Sequence, residues 1–308
     1  EEKDEKYVEP ENNPIFLPWD DSKFLWFSER DGYDHLYLYS TEGTMMNQLT
    51  NGKWEVLSVE GFDSESKRII VRGTGEVIEN GPKMDDTRNG TQTYIYSVNA
   101  SSGSKQMIDN RIGTHTATLS SNGSLIIDRF TNLETPLEYS LFTNQSEKLS
   151  TLLTSSSPLA DYNIGNTELG EITGSDGSKL YTRIIKPSDF DPAKKYPVLI
   201  YLYGGPHAQL ITNRYLAGAP LWMHWFAEKG YIVATIDNRG SAHRGLEFEQ
   251  ATFRTLGNAE MEDQKLFAEY LKSQSFVDGE RLALHGWSYG GFMTTNMLLT
   301  FPGTFKAG

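Results

Sequence analysis

Aromatic and β-branched runs separated by turn residues organise the first half of the chain. Phe24–Ser28 is a strand-type run, Asp31-Gly32 a turn, and His35–Tyr39 a second run. Thr41-Glu42-Gly43 turns the chain again before Met45–Leu49. The theme returns at Arg68–Val71, Thr93–Tyr96, Leu125–Ile127 and Tyr139–Phe142. Openings at Leu25, Ile69 and Ile126 are 44 and 57 residues apart, near the roughly 40–50-residue repeat of a four-stranded propeller blade. The insertion between Glu76 and Thr91 accounts for the longer interval. Asp63–Lys67 and Ser120–Ser124 each precede a strand and are read as inter-strand turns. Two architectures fit: about three blades of a β-propeller, whose closed forms need roughly four to eight, or a plain β-sandwich.

After a Ser-rich linker at Ser155–Pro158 the pattern changes. Pro197–Tyr203 is a continuous apolar run ending in Gly204-Gly205-Pro206, the mark of a strand buried on both faces. Leu221–Lys229 has helical apolar spacing and stops at Gly230. Tyr231–Ile236 is another buried strand, Glu260–Ser273 an amphipathic helix, Arg281–His285 a third strand and Gly291–Thr300 a helix. Strands alternating with helices predict a mostly parallel α/β sheet. The expected domains are therefore 1–155, all β, and 156–308, α/β.

Composition narrows the partners. A net charge of −13 argues against nucleic acid, whose phosphates would repel it. With no cysteine there is no disulfide, thiolate chemistry or Cys-ligated zinc. No apolar run approaches the roughly 20 residues that span a bilayer, and Glu1–Val8 is charged. Asn89, Asn99, Asn122 and Asn144 each open an N-x-S/T triplet. No metal or cofactor is expected.

Gly286-Trp287-Ser288-Tyr289-Gly290 is a G-x-S-x-G pattern between a predicted strand and a predicted helix, the context a nucleophile elbow requires. Glycines on both sides remove Cβ atoms that would meet the neighbouring strand and helix. The N–H of Tyr289 then points to where an oxyanion forms. The bland alternative is a Gly-rich turn carrying a surface serine. A serine needs an adjacent base, and in this fold the chain order is Ser, acid, His. All six histidines (His35, His115, His207, His224, His243 and His285) precede Ser288, and 20 residues follow it. The triad acid and base are therefore expected outside this chain, with both the propeller and the hydrolase present only in part.

Tyr203-Gly204-Gly205-Pro206-His207, Asp237-Asn238-Arg239-Gly240-Ser241 and Gly286–Gly291 together resemble the prolyl oligopeptidase family of serine peptidases, in its bacterial dipeptidyl peptidase IV group. Ser28–Gly32 with His35-Leu36-Tyr37 resembles a late propeller blade of that group. The resemblance implies the C-terminal blades of a β-propeller followed by the N-terminal part of an α/β-hydrolase domain. It also implies an exopeptidase that takes peptides with a free N-terminus and releases dipeptides with Pro, or less well Ala, in second position. Ser288 would form the acyl-enzyme. Tyr203 would donate its phenol to the oxyanion beside the Tyr289 N–H, and Tyr289 would also line the pocket for the proline ring. Read without the resemblance, Tyr203 is rather a core tyrosine at a strand end. Arg239 either organises loops or forms a structural salt bridge with Glu262 or Asp263. His285 reads as a strand residue packed under the helix, and nothing places His207 near Ser288. The glutamate pair that anchors the substrate amine in the family has no match here; Glu29, Glu76 and Glu79 lie outside its motif. The resemblance further implies a periplasmic or cell-envelope location and a homodimeric full-length protein. The alternatives are an acylaminoacyl peptidase, an oligopeptidase, or a binding protein that kept the fold without a triad. The 308 residues alone, lacking the base, are expected to be inactive.

Overall fold

Side-chain alternation along the strands decides the first half. The computed structural model describes residues 1–9, 13–75 and 89–308. They form two units: Glu1–Ser156 with Asn213–Tyr215 and His243–Glu247, and Ser157–Thr212 with Leu216–Ala242 and Phe248–Gly308. In the first unit β1 (Ile15–Leu17), β2 (Asp20–Ser28), β3 (His35–Ser40) and β4 (Met45–Gln48) pair in sequence as an antiparallel meander. A second meander comprises β5 (Val56–Asp63), β6 (Arg68–Thr74), β7 (Thr93–Asn99) and β8 (Lys105–Met107). The third comprises β9 (Thr114–Leu119), β10 (Leu125–Thr131), β11 (Glu138–Thr143) and β12 (Lys148–Thr154). Leu25, Ile69 and Ile126 each sit on the second strand of a meander, so the repeat seen in the sequence is the repeat of the fold.

Within β6, Ile69 and Val71 enter a core with Leu25, Leu36, Trp54 and Tyr96, whereas Ile70 enters another with Ile95, Ile126 and Phe142. Opposite faces of one strand thus feed two cores, and the middle sheet is covered on both sides. Three four-stranded meanders, the second and third joined by one parallel bridge between Thr93 of β7 and Thr114 of β9, do not fit a two-layer sandwich; they are β-propeller blades. The triplet at Asn144 is closed to modification, because its buried amide donates to Asp63 Oδ2 at 2.5 Å and to the Gly123 carbonyl at 3.3 Å.

The second unit holds a five-stranded sheet of β13 (Thr167–Thr173), β14 (Lys179–Ile185), β15 (Tyr196–Tyr201), β16 (Ile232–Asp237) and β17 (Val277–His285), in the order β13-β14-β16-β15-β17. β13 and β14 run antiparallel to their neighbours, while β16, β15 and β17 are parallel. The helices are α1 (Leu221–Ala227), the single turn α2 (Leu246–Glu249), α3 (Ala259–Ser273) and α4 (Tyr289–Thr300). Every residue of β16 is buried, as its unbroken apolar run requires. β15 departs from expectation: buried and half-buried residues alternate along it. Val198 and Ile200 pack into the main core with Phe267, Leu271 and Met293. On the other face Tyr201 meets a smaller cluster built on the seven-residue α1, too short to cover the strand fully. Parallel β15, β16 and β17 deliver their following loops to one edge of the sheet, where ligands bind in such sheets.

Candidate active site

β17 ends at His285 and α4 begins at Tyr289, leaving Gly286, Trp287 and Ser288 to turn the chain. Ser288 has φ 54° and ψ −122°, a backbone conformation that L-residues rarely adopt. Such strain persists only where the surroundings over-determine it, and it clusters at functional sites. The tightness of the turn explains the flanking glycines. A Cβ on Gly286 would lie 2.4 Å from the Gly290 carbonyl oxygen and 2.6 Å from that of Leu202. A Cβ on Gly290 would lie 2.4 Å from the Leu202 oxygen. The Ser288 carbonyl accepts the N–H groups of Gly291 and Phe292 at 2.9 and 3.1 Å, which starts the helix, while its side chain is exposed.

The loop after β15 is held against this turn. Tyr201 pairs with His285 in the sheet, and the Leu202 N–H donates to the His285 carbonyl at 3.0 Å. Tyr203 follows, its ring centroid 6.1 Å from that of Tyr289 and 6.4 Å from that of Trp287. A core tyrosine would place its hydroxyl on a structural partner. The Tyr203 phenol makes no hydrogen bond among the described residues, which leaves it able to donate to a ligand. The Tyr289 phenol is committed: it donates to Glu260 Oε1 at 2.6 Å. Burial and that hydrogen bond push its pKa well above the ordinary tyrosine value. Trp287 is exposed, its indole N–H 3.3 Å from the Tyr201 hydroxyl.

Arg239 forms the salt bridge. Its Nε and Nη2 reach Asp263 at 2.9 to 3.1 Å, Nη2 also reaches Glu262 at 2.9 Å, and its backbone N–H donates to Asp263 Oδ2 at 2.8 Å. The hydrogen bonds to Asp263 hold the guanidinium pKa above its ordinary value. Burial pushes the Asp263 carboxyl up, against the pull of Arg239. The two-pronged geometry with a third donor from the backbone is that of an ionised pair, and we read it so.

Four of the six histidines have polar partners away from Ser288. His35 meets Thr50 and the Gly52 carbonyl, His115 meets Asp128 and the Arg111 carbonyl, His207 lies 3.3 Å from Glu249, and His243 lies 3.4 Å from Glu55. His285 is not packed under a helix but exposed at the sheet edge, against the Trp222 ring at 5.4 Å. Strand alternation turns it to the less covered face, where α1 gives only that edge contact. Asp109, His115 and Asp128 have ligand atoms within 4.8 Å of one another. Those atoms are already bonded internally, with Arg111 donating to Asp109 at 2.9 Å. Of the acids considered for a substrate amine, Glu29 lines a cavity of about 350 Å³ in the first unit with Glu2, Trp26 and Arg30. Glu76 and Glu79 lie outside the described residues.

Two residues outside the motifs, Glu260 and Gln264, also reach these loops, together with Asn238 of the second motif, to which no role was given. Asn238 Nδ2 donates to the Gly204 carbonyl at 3.2 Å and Gln264 Nε2 to Asn238 Oδ1 at 3.1 Å. The available signal was positional, since Glu260 and Gln264 fall on the helix face that carries Phe267 and Leu271.

Comparison with known proteins agrees with this geometry. Residues 1–137 match the family model described as the dipeptidyl peptidase IV N-terminal region, and residues 220–308 match that of the prolyl oligopeptidase family. The chain is 33% identical to dipeptidyl peptidase 8 of Mus musculus over 84% of its own length and 29% of that protein's. It is 31% identical to a "Probable dipeptidyl peptidase 4" of Emericella nidulans over 96% of its length and 38% of the relative's. A Bacteroides ovatus crystal structure described as a dipeptidyl aminopeptidase IV superposes with TM-score 0.90 and 40% identity, covering 98% of this chain and 44% of that one. Porphyromonas gingivalis dipeptidyl peptidase 4 gives 0.86 and 32%, covering 99% and 42%. The chain thus spans less than half the length of these relatives. With blades like those of the one region followed by a nucleophile-elbow portion like that of the other, the chain is similar to a fragment of a dipeptidyl peptidase IV of the prolyl oligopeptidase family.

Proposed function

We propose that this chain supplies the nucleophile and oxyanion donors of a serine dipeptidyl peptidase, which releases N-terminal dipeptides with Pro or Ala in second position. Residues 1–155 are its propeller portion and 156–308 its hydrolase portion. The observation that carries the reading is the strained Ser288 between two glycines that tolerate no Cβ, beside a Tyr203 phenol with no hydrogen-bond partner among the described residues. Ser288 Oγ attacks the carbonyl carbon of the second residue, and the amine of the third residue departs as the acyl-enzyme forms, taking up the proton that Oγ gave to the base. Water then releases the dipeptide. The proton of Oγ goes to a base, which we assign to sequence outside these 308 residues, since the relatives are longer. The developing oxyanion takes hydrogen bonds from the Tyr203 phenol and the Tyr289 N–H, donors worth most where charge appears only in the transition state. Tyr289 also lines the wall that meets the proline ring.

The test is steady-state cleavage of a Gly-Pro-chromophore by the intact enzyme. Tyr203→Phe is expected to lower kcat about 100-fold with little change in KM, the scale of one lost oxyanion donor. A change confined to KM contradicts the oxyanion role. Turnover of N-acylated but not free-amine substrates contradicts the dipeptidyl reading.

A further inference from the structure

Helix α3 buries Glu260, Asp263 and Gln264 on the same face as Phe267 and Leu271. Residues three and four apart on a helix share a face, so the three form one polar stripe. Asp263 takes Arg239. The other two point elsewhere. Glu260 accepts the Tyr289 phenol at 2.6 Å and, through both oxygens, the Gly257 N–H at 3.0 and 3.1 Å. Gln264 holds Asn238, and Asn238 holds the Gly204 carbonyl. Tyr289 follows the nucleophile and Gly204 follows Tyr203. A single rigid helix therefore grips both residues to which the oxyanion donors belong, or their immediate neighbours.

A buried carboxylate is expensive unless it is paired. The hydrogen-bond partners of Glu260 are a phenol and an amide, neither charged, so a stabilising ion pair does not explain it. Restraint of Tyr289 does. The phenol anchors the side chain on α3, which fixes the backbone whose N–H serves the oxyanion and aims the ring.

We infer that Glu260 is a positioning residue for acyl transfer, acting through the Tyr289 phenol, with Gln264 and Asn238 doing the same for the Tyr203 loop. This rests on the oxyanion assignment proposed above. Displacement of a catalytic group by about 1 Å costs roughly 100-fold in rate. In the intact enzyme Glu260→Ala is therefore expected to lower kcat for Gly-Pro-chromophore about 10- to 100-fold, with KM changed by less than about threefold. Glu260→Gln keeps an acceptor for the phenol and is expected to retain most of kcat. Tyr289→Phe is expected to lose about as much as Glu260→Ala, and combining the two to lose no more than either alone.

Equal losses from Glu260→Ala with and without the Tyr289 hydroxyl would overturn the inference, as would a folded Glu260→Ala enzyme with unchanged kcat or a change confined to KM. If Glu260→Ala does not fold, Tyr289→Phe, which removes the same hydrogen bond from the other side, carries the test, and a Tyr289→Phe enzyme with unchanged kcat refutes it. If the parent enzyme does not cleave Gly-Pro-chromophore, the dipeptidyl reading fails separately. The same cycle is then read from the rate of Ser288 phosphonylation by a fluorophosphonate, which needs the base-activated nucleophile and its oxyanion donors but no dipeptide substrate.

Discussion

Helices α3 and α1 both bury polar side chains, and they do so differently. On α3, Asp263 carries a two-pronged bond to Arg239, Glu260 holds a phenol and an amide, and Gln264 holds Asn238, with only Gln264 Oε1 lacking a protein partner. On α1, His224 is buried, and neither ring nitrogen has a hydrogen-bond partner among the described residues. Burial, and then the nearby Arg183 guanidinium, push the His224 pKa down, while Glu228 works the other way. Arg183 is itself buried, donates to the Leu210 and Ala217 carbonyls, and is lowered to about 10 by its burial. An orphaned buried polar group costs free energy, whereas a satisfied network fixes geometry. The helix with the satisfied network is the one that contacts the loops around Ser288.

The largest effect follows from breaking the α3 pairing. Arg239→Ala strands the Asp263 carboxylate in the core and is expected to cost about 3–5 kcal/mol, the range for removing one partner of a buried pair. Chemical denaturation measures it. A loss below about 1 kcal/mol, the value of an exposed pair, would show that the stripe on α3 is solvated and its contrast with α1 false.

The smallest effect sharpens the other side. His224→Leu removes two unpartnered nitrogens and is expected to stabilise by about 1 kcal/mol at neutral pH. The pH dependence has a definite sign. Because the folded-state pKa of His224 lies below the unfolded value of about 6.5, the unfolded chain binds more protons as pH falls. Stability is therefore lost below about pH 6.5, and His224→Leu is expected to flatten part of that loss between about pH 7 and 5. His35, also lowered by burial, keeps some slope. A steeper acid slope in His224→Leu would contradict the account.

The fold was legible at most strongly buried strands, though not at β14, which is buried at six of its seven positions and was not read as a strand. β6 and β16 announce themselves through Ile and Val because both faces are covered. β12 left no signal, since all seven of its residues are exposed and its sequence has no inward face to mark. β9 was equally silent, with Thr114, Thr116 and Thr118 among its residues. The propeller reading over the sandwich rested on repeat length, and the parity of Ile69, Ile70 and Val71 supplies the physical reason. At the site, Ser288 was legible because a sharp strand-to-helix turn demands small neighbours. Glu260 was not, because a carboxylate in the first turn of a helix usually reads as a solvated group favouring the helix dipole. Only packing reveals that this one faces inward.

The most direct measurement is covalent. The intact enzyme treated with a fluorophosphonate and digested for mass spectrometry is expected to carry one adduct, on Ser288, and Ser288→Ala is expected to lose both the adduct and cleavage of Gly-Pro-chromophore. An adduct on another serine, or persistent cleavage by Ser288→Ala, would contradict the assignment of Ser288 as the nucleophile.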